Sequence, residues 1–523
     1  MTQSRKVWLY DTTLRDGSQR KGISFSVEDK LKITTLLDNF GLSYIEGGWP
    51  GSNPKDAEYF RRVKELPLKQ AKIAAFGSTR RSNASAAEDA NLQALLAAGT
   101  PVVTLVGKSS KFHVTEILRT TLESNLEMIA DSISWLKAQG KEVVYDAEHF
   151  FDGYREDPEY ALATLERAHL AGADWIVLCD TNGGSLPNQI TEIVGAVTAR
   201  VQCPLGIHAH NDSELAAANS LAAVQAGCNQ VQGTINGYGE RCGNANLVSI
   251  LATLQLKLGI PCVPAEKLSG LTQLARKISG IANLNPDEHA AYVGSCAFAH
   301  KGGIHVAAVE KNSSSYEHVE PEAVGNSRNV VVSELAGRGN IRVRASELGV
   351  QLQGNEKMLL DKIKQLEARG FQFENAEGTF ELMLRKERPD YKQPFEIIDM
   401  MEVIEQRAER TLTVNAVVKI RVGNEVFHTA SEGEGPVHAI DNAMRKALLP
   451  AFPELSVVKL CDYKVRILDP QEATAATTRV TIEAKSNGDR WTTVGCSDNL
   501  IEASFHALAD SYELFLLRKT QGQ

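Results

Sequence analysis

The sequence lacks the features that would put it in a special class. It has no CxxC pair. Its eight cysteines (Cys179, Cys203, Cys228, Cys242, Cys262, Cys296, Cys461 and Cys496) are scattered through 523 residues. They read as reduced, mostly buried small apolar residues of a cytosolic protein. There is no apolar run of about 18 residues, so no membrane span is expected. The start, MTQSRK, leads directly into a strand. No signal peptide is therefore expected, and the expected location is cytoplasmic. Basic residues are spread rather than clustered and the net charge is −9, which argues against nucleic acid as the main partner. No GxGxxG follows the first strand, so the dinucleotide fingerprint of a doubly wound sheet is missing.

What is present is ordinary globular material, 43% hydrophobic and 23% charged, long enough for two or three domains. Up to about residue 260 the pattern alternates strand and helix. The strands read VWLYD, YIEGGWP (44–50), KIAAFG (72–77), VVTLVG (102–107), EVVYDAEHF (142–150), WIVLCDTNG (175–183), PLGIHAHND (204–212) and QVQGTINGYG (230–239). Amphipathic helices are expected between them, at 26–40, 56–64, 85–98, 117–138, 158–171, 187–200 and 213–226. Three end on an Ala-Gly pair, at Gly99, Gly172 and Gly227, with the glycine as left-handed cap. Short, nearly continuous apolar strands suit a parallel sheet buried on both faces. Eight such units match a closed (β/α)8 TIM barrel, with an open doubly wound sheet as the alternative.

The expected domains are a catalytic barrel over 1–265, a mostly helical linker region over 266–392 and a C-terminal α+β domain over 393–523. The linker carries helices at 267–281 and 355–370 and glycine-rich polar stretches at 300–305 and 333–341. The last part repeats itself: 413–448 and 478–512 share a pattern of strand, Gly turn, strand, Gly-containing loop and amphipathic helix. Two such β-β-α units can bind a small molecule at their joint, mediate dimerisation, or be a structural appendage.

In a barrel, chemistry sits at the C-terminal strand ends. Those ends carry Arg15, Asp16, Glu46, Glu148, Asp180, Thr181, His208, His210 and the loop from Asn236 to Asn244. His208 and His210 are two apart on one strand, so both face one side, as a divalent metal requires. Asp16 ends the first strand, a neighbour of the last in a closed barrel, and could supply a carboxylate. Asn244 could add a neutral oxygen. Such a site leaves positions open for a bidentate 2-oxo acid. Arg15 either meets the oxygen that becomes an alkoxide or salt-bridges its neighbouring acids. Glu148 could orient or relay through water, and Thr181 could hydrogen-bond a substrate carboxylate. His305, after two glycines, is a candidate general base. Asp11 lies nearer the strand interior and is expected to be a supporting residue.

DTTLRDGSQ, HAHND, NGYGERCGNAN and FAHKGGIHVAA together resemble the metal-dependent acyl-CoA condensing barrel enzymes, the 2-isopropylmalate, homocitrate and citramalate synthase family. The resemblance spans essentially the whole chain. Within the family, GISFSVEDKLKI, YIEGGWPGSNPKD, VFHTASEGEGPVHAID and WTTVGCSDNLIEAS look most like the longer citramalate-forming branch. The resemblance implies condensation of acetyl-CoA with pyruvate and hydrolysis of the thioester. It implies a divalent metal (Mn, Mg, Zn or Co) on Asp16, His208 and His210 with Asn244 nearby. It assigns the alkoxide to Arg15, the 2-oxo acid site to Glu148 and Thr181, and the acetyl proton to His305 with Tyr316. It also implies a homodimer and an effector, isoleucine, at the C-terminal domain. Two alternatives stand beside this reading: 2-oxoisovalerate as acceptor, giving 2-isopropylmalate, and a non-catalytic amino-acid sensor.

Overall fold

The computed structural model of the chain describes residues 6–406 and 412–520; the MTQSR start, read as lacking a leader, lies outside them. The chain divides into two compact units. One ends at Phe298 and takes back Val319–Ser327; the other comprises Ala299–His318 and Arg328 onward.

The first unit is a closed barrel of eight parallel strands in sequence order: β1 (Trp8–Asp11), β2 (Tyr44–Gly48), β3 (Lys72–Ser78), β4 (Val102–Lys108), β5 (Glu142–Glu148), β6 (Trp175–Asp180), β7 (Leu205–Ala209) and β8 (Gln230–Gly233). The closing pair sets Trp8 opposite Gln230 and Asp11 opposite Gly233. Around it lie α1 (Val27–Phe40), α2 (Pro54–Val63), α3 (Ala90–Ala98), α4 (Leu122–Ala138), α5 (Phe150–Glu156), α6 (Pro158–Leu170), α7 (Pro187–Arg200), α8 (Ala216–Ala226), α9 (Leu247–Leu256) and α10 (Leu271–Ile281). Helix α1 begins with a reciprocal Ser26–Asp29 capping box. Gly99, Gly172 and Gly227 all take positive φ, at 67°, 95° and 141°, so the Ala-Gly helix ends are caps as read. The barrel is filled twice. Outward strand residues such as Leu9, Ile45, Ile207 and Val231 pack against the helices. Inward ones, among them Tyr10, Tyr44, Val102, Val144 and Trp175, fill the interior. Period-2 alternation alone sorts the two sets.

The second unit opens with a short parallel pair, β9 (Ala299–His300) and β10 (Asn329–Val330), with α11 (Gly303–Val309) between them in sequence. Helices α12 (Arg338–Glu347), α13 (Glu356–Ala368) and α14 (Glu377–Lys386) follow. Two antiparallel sheets complete it: β11 (Glu396–Glu405), β12 (Thr413–Val422) and β13 (Glu425–Gly433), then β14 (Lys459–Ile467), β15 (Thr478–Ser486) and β16 (Asp489–Ser497). Helix α15 (Pro436–Leu448) follows the first sheet and α16 (Leu500–Thr520) the second. The internal repeat is real, but each copy has one strand more than the β-β-α unit expected. The additional strands, β11 and β14, are mostly exposed and, like β13, bury no residue. Among the described residues all eight cysteines are free thiols; Cys242 is the exposed one. No described helix is long and apolar enough to cross a membrane.

Candidate active site

Most inward positions near the strand ends are polar and buried: Glu46 on β2, Thr104 on β4, Asp146 on β5, His208 on β7 and Gln232 on β8. A barrel interior that buries this much polarity must pair it. Tyr10 Oη donates to Glu46 Oε2 at 2.7 Å and stands 2.6 Å from Thr104 Oγ1. Gln232 Nε2 donates to Asp146 Oδ1 at 2.9 Å, and Gln232 Oε1 lies 2.8 Å from His208 Nδ1.

The chain beyond β1 turns tightly, with Arg15 N and Gly17 N both bonded to Thr12 O at 3.1 and 3.2 Å. Asp11 faces away from the barrel interior and accepts from the Thr13 amide (3.0 Å) and hydroxyl (2.8 Å). Thr13 Oγ1 in turn accepts from Ile235 N at 2.9 Å. Asp11 thus supports the turn and is no part of the pocket, as the sequence suggested. This turn aims Asp16 at the end of β7. The Asp16 carboxylate meets the Arg15 guanidinium at 2.5 and 2.9 Å, Asn244 Nδ2 at 3.3 Å and His208 Nε2 at 3.5 Å. Burial works to raise this carboxyl, but Arg15 and then the two histidines outweigh it and hold it below the usual range. Arg15 bonds Glu46 as well as Asp16, and its guanidinium lies 3.8 Å from the centre of the Phe76 ring. Of the two readings open for Arg15, the salt bridge to neighbouring acids is therefore present.

His208 and His210 lie side by side, ring centres 5.2 Å apart. Asn244 bridges to His210 through backbone pairing and donates from Nδ2 to His208 Nε2 at 3.1 Å. Burial, with His208 adjacent, lowers the pKa of His210 to about 4, so it is a neutral imidazole at neutral pH. Among the described residues no three His, Cys, Asp or Glu side chains stand ready-arranged as a metal cage; Asp16 is faced by Arg15 and the Asn244 amino group. The donor chemistry nevertheless fits a divalent ion. His210 Nδ1 and Asn244 Oδ1 are buried with no hydrogen-bond partner. His208 has Nδ1 engaged and Nε2 aimed at Asp16. A carboxylate, two imidazoles and an amide oxygen form a borderline-hard set suited to Mn, Zn or Co.

The other expected residues fall as follows. Glu148 ends β5 and pairs with Lys108 of β4. Thr181 follows β6, and its hydroxyl accepts from His149 N at 2.8 Å. His149 has φ 57° and its ring stacks on His113, centres 3.7 Å apart. His305 and Tyr316 belong to the second unit. Both are exposed, and their rings stack at 4.1 Å. Sequence reasoning passed over Gln232, Asp146, Phe76 and Lys108. For the first two a signal existed: in QVQG and VYDAE, strand parity turns a polar residue inward.

Comparison with known proteins agrees with this architecture. Residues 6–278 match the HMGL-like family, 292–370 a homocitrate synthase post-HMGL domain-like family, and 374–516 the LeuA allosteric (dimerisation) domain. An (R)-citramalate synthase of Geobacter sulfurreducens is 51% identical over 98% of this chain and 98% of its own length. One from Synechocystis sp. is 51% identical over 100% of this chain and 98% of its own length. The chain belongs to the (R)-citramalate synthase family. A 2-isopropylmalate synthase of Methanocaldococcus jannaschii is 29% identical over 98% of this chain and 95% of its own length, a more distant relation. In this citramalate synthase family member the HMGL-like segment contains every barrel residue discussed above, and the LeuA segment takes in α14, both sheets and most of α16.

Proposed function

We propose that the chain is an acyltransferase that condenses acetyl-CoA with pyruvate, hydrolyses the resulting thioester and releases (R)-citramalate and CoA. The observation that carries the site reading is the convergence of Asp16, His208 and Asn244 beside Arg15 at the strand ends. Asp16, His208 and His210 would hold a divalent ion with Asn244; once bound, it supplies Lewis-acid polarisation of the 2-oxo acid carbonyl. Arg15 is kept charged by Asp16 and Glu46, against the effect of burial. A fixed cation there stabilises the alkoxide more than the ketone that precedes it, which is the condition for lowering the barrier. Thr181 is proposed to bond the pyruvate carboxylate and Glu148 to orient water or the acceptor. The proton of the acetyl methyl is assigned to His305 with Tyr316, on the strength of FAHKGGIHVAA and the stacked rings.

The same reading makes the chain a cytoplasmic homodimer serving isoleucine synthesis, with isoleucine as feedback effector. Its support is the match of residues 374–516 to the LeuA allosteric (dimerisation) domain. The test follows CoA thiol release with each acceptor and resolves the product on a chiral column. Pyruvate is expected to turn over faster and yield (R)-citramalate; faster turnover with 2-oxoisovalerate would transfer the chain to the 2-isopropylmalate reaction. No thiol release with either would favour the amino-acid sensor.

A further inference from the structure

The buried chain His208–Gln232–Asp146 has a direction. Asp146 Oδ1 is an acceptor toward Gln232, whose Nε2 reaches it at 2.9 Å. An amide fixed at its nitrogen must present its oxygen at the other end. Gln232 Oε1 therefore faces His208 Nδ1, at 2.8 Å. A carbonyl oxygen only accepts, so the proton of the neutral imidazole belongs on Nδ1 and the lone pair on Nε2. Nε2 is the atom 3.5 Å from Asp16 and 3.1 Å from Asn244 Nδ2. His208, Asp146 and Gln232 are all buried, so water does not compete for these bonds. His210 has no such partner: its Nδ1 is unpaired. The two imidazoles are thus prepared differently, one held at Nδ1 by a hydrogen bond and the other not.

We infer that Gln232, anchored by Asp146, is a positioning residue that fixes the tautomer and ring orientation of His208 for a divalent ion. It rests on the metal reading of the site. Outer partners of this kind are worth about 10–100-fold in metal affinity. Nothing reacts on Gln232 itself; it acts through His208.

The test uses the full chain, stripped of metal, with Mn2+ alone as probe and the unbound ion read by its electron paramagnetic resonance signal. Gln232→Met keeps side-chain length and removes both polar atoms; binding is expected to weaken about 10–100-fold. Asp146→Asn keeps an acceptor oxygen facing Gln232 Nε2, so the anchor survives, and it is expected to bind Mn2+ more tightly than Gln232→Met does. Equal affinity of Gln232→Met and the parent would overturn the proposal. If the parent itself binds no Mn2+, the metal reading falls first and takes this inference with it. A second measurement needs no variant: ring 15N shifts of His208 in the metal-free parent, assigned by loss of its signals in His208→Gln. The Nδ1–H tautomer is expected, and the Nε2–H tautomer would refute the directional argument even if Mn2+ binds.

Discussion

Arg15 lies between two carboxylates and on an aromatic face, and only a planar, forked cation satisfies all three contacts at once. Lysine can meet one acid but cannot bridge Asp16 and Glu46 while lying flat on Phe76. Arg15→Lys is therefore expected to fold and to lose about 10²–10³ in kcat, the scale of losing one oxyanion donor. Steady-state rates with pyruvate varied check this; a loss confined to KM would show that Arg15 binds ketone and alkoxide alike and does not favour the alkoxide. Asp11 offers a test by pH. Burial, opposed by the Thr13 bonds, raises its pKa from 3.8 to about 7. A carboxyl raised on folding contributes stability that is fully present below pH 3.8 and lost as pH rises through 7. The parent should thus lose up to about 1.4 kcal/mol per pH unit across that window through this group, and Asp11→Asn should not. Melting curves of both proteins at pH 5, 6, 7 and 8 are expected to show the variant gaining on the parent; parallel curves would remove Asp11 as the cause. The candidate ligands were legible because they sit in a run, HAHND, or next to a charged turn, TLRDGS. Gln232 and Asp146 were not, since a lone amide or acid in a buried strand looks like packing until its partner is known.

At the scale of elements, strand starts were readable and strand ends were not. The sequence pattern extends strands over 142–150 and 230–239, whereas β5 stops at Glu148 and β8 at Gly233. The reason is physical: past those residues the backbone leaves the ladder to build the site, and His149 turns left-handed to begin α5. Apolar pattern continues there without strand geometry. In the same way β11 and β14 are hard to read because exposed strands lack a clean buried alternation; β13, no more buried, is legible from the Gly423 turn that joins it to β12. The loop after β8 shows what such a stretch does. A Cβ on Gly239 would stand 1.9 Å from Asn244 Oδ1. That oxygen ends a side chain, so the amide must swing, while the Asn244 backbone nitrogen, at 3.2 Å, has only a few tenths of an ångström to give. Gly239→Ala is accordingly expected to raise the Mn2+ concentration for half-maximal activity by at least about tenfold, since a displaced ligand costs no less than an outer partner. Its metal-free melting temperature should stay within a few degrees of the parent. An unchanged metal requirement would detach Asn244 from the ion.

At the scale of the whole molecule the two units pose different problems. The barrel closes on itself and leaves no sheet edge exposed. The second unit ends in two three-stranded sheets. α15 follows β13 and packs on the buried Val414, Ala416, Val418 and Ile420 of β12; α16 follows β16 and packs on its own sheet. The strand β11, in contrast, exposes apolar side chains: Met401 is 55% exposed, Val403 48% and Ile404 52%. Met401 and Val403 share one face of the strand, and apolar exposure of this kind is costly in water and marks an interaction surface. Together with the LeuA dimerisation match over 374–516, it points to a second copy of the chain as the occupant. Met401→Asp combined with Val403→Asp would place two charges in that contact, where each unpaired one costs several kcal/mol. The variant is expected to elute and scatter at the 57.0 kDa of one chain, the parent at twice that mass. Isoleucine inhibition should weaken in parallel if the effector acts through the paired domains. A variant that stays at the parent's mass with unaltered inhibition would move the interface elsewhere on the second unit.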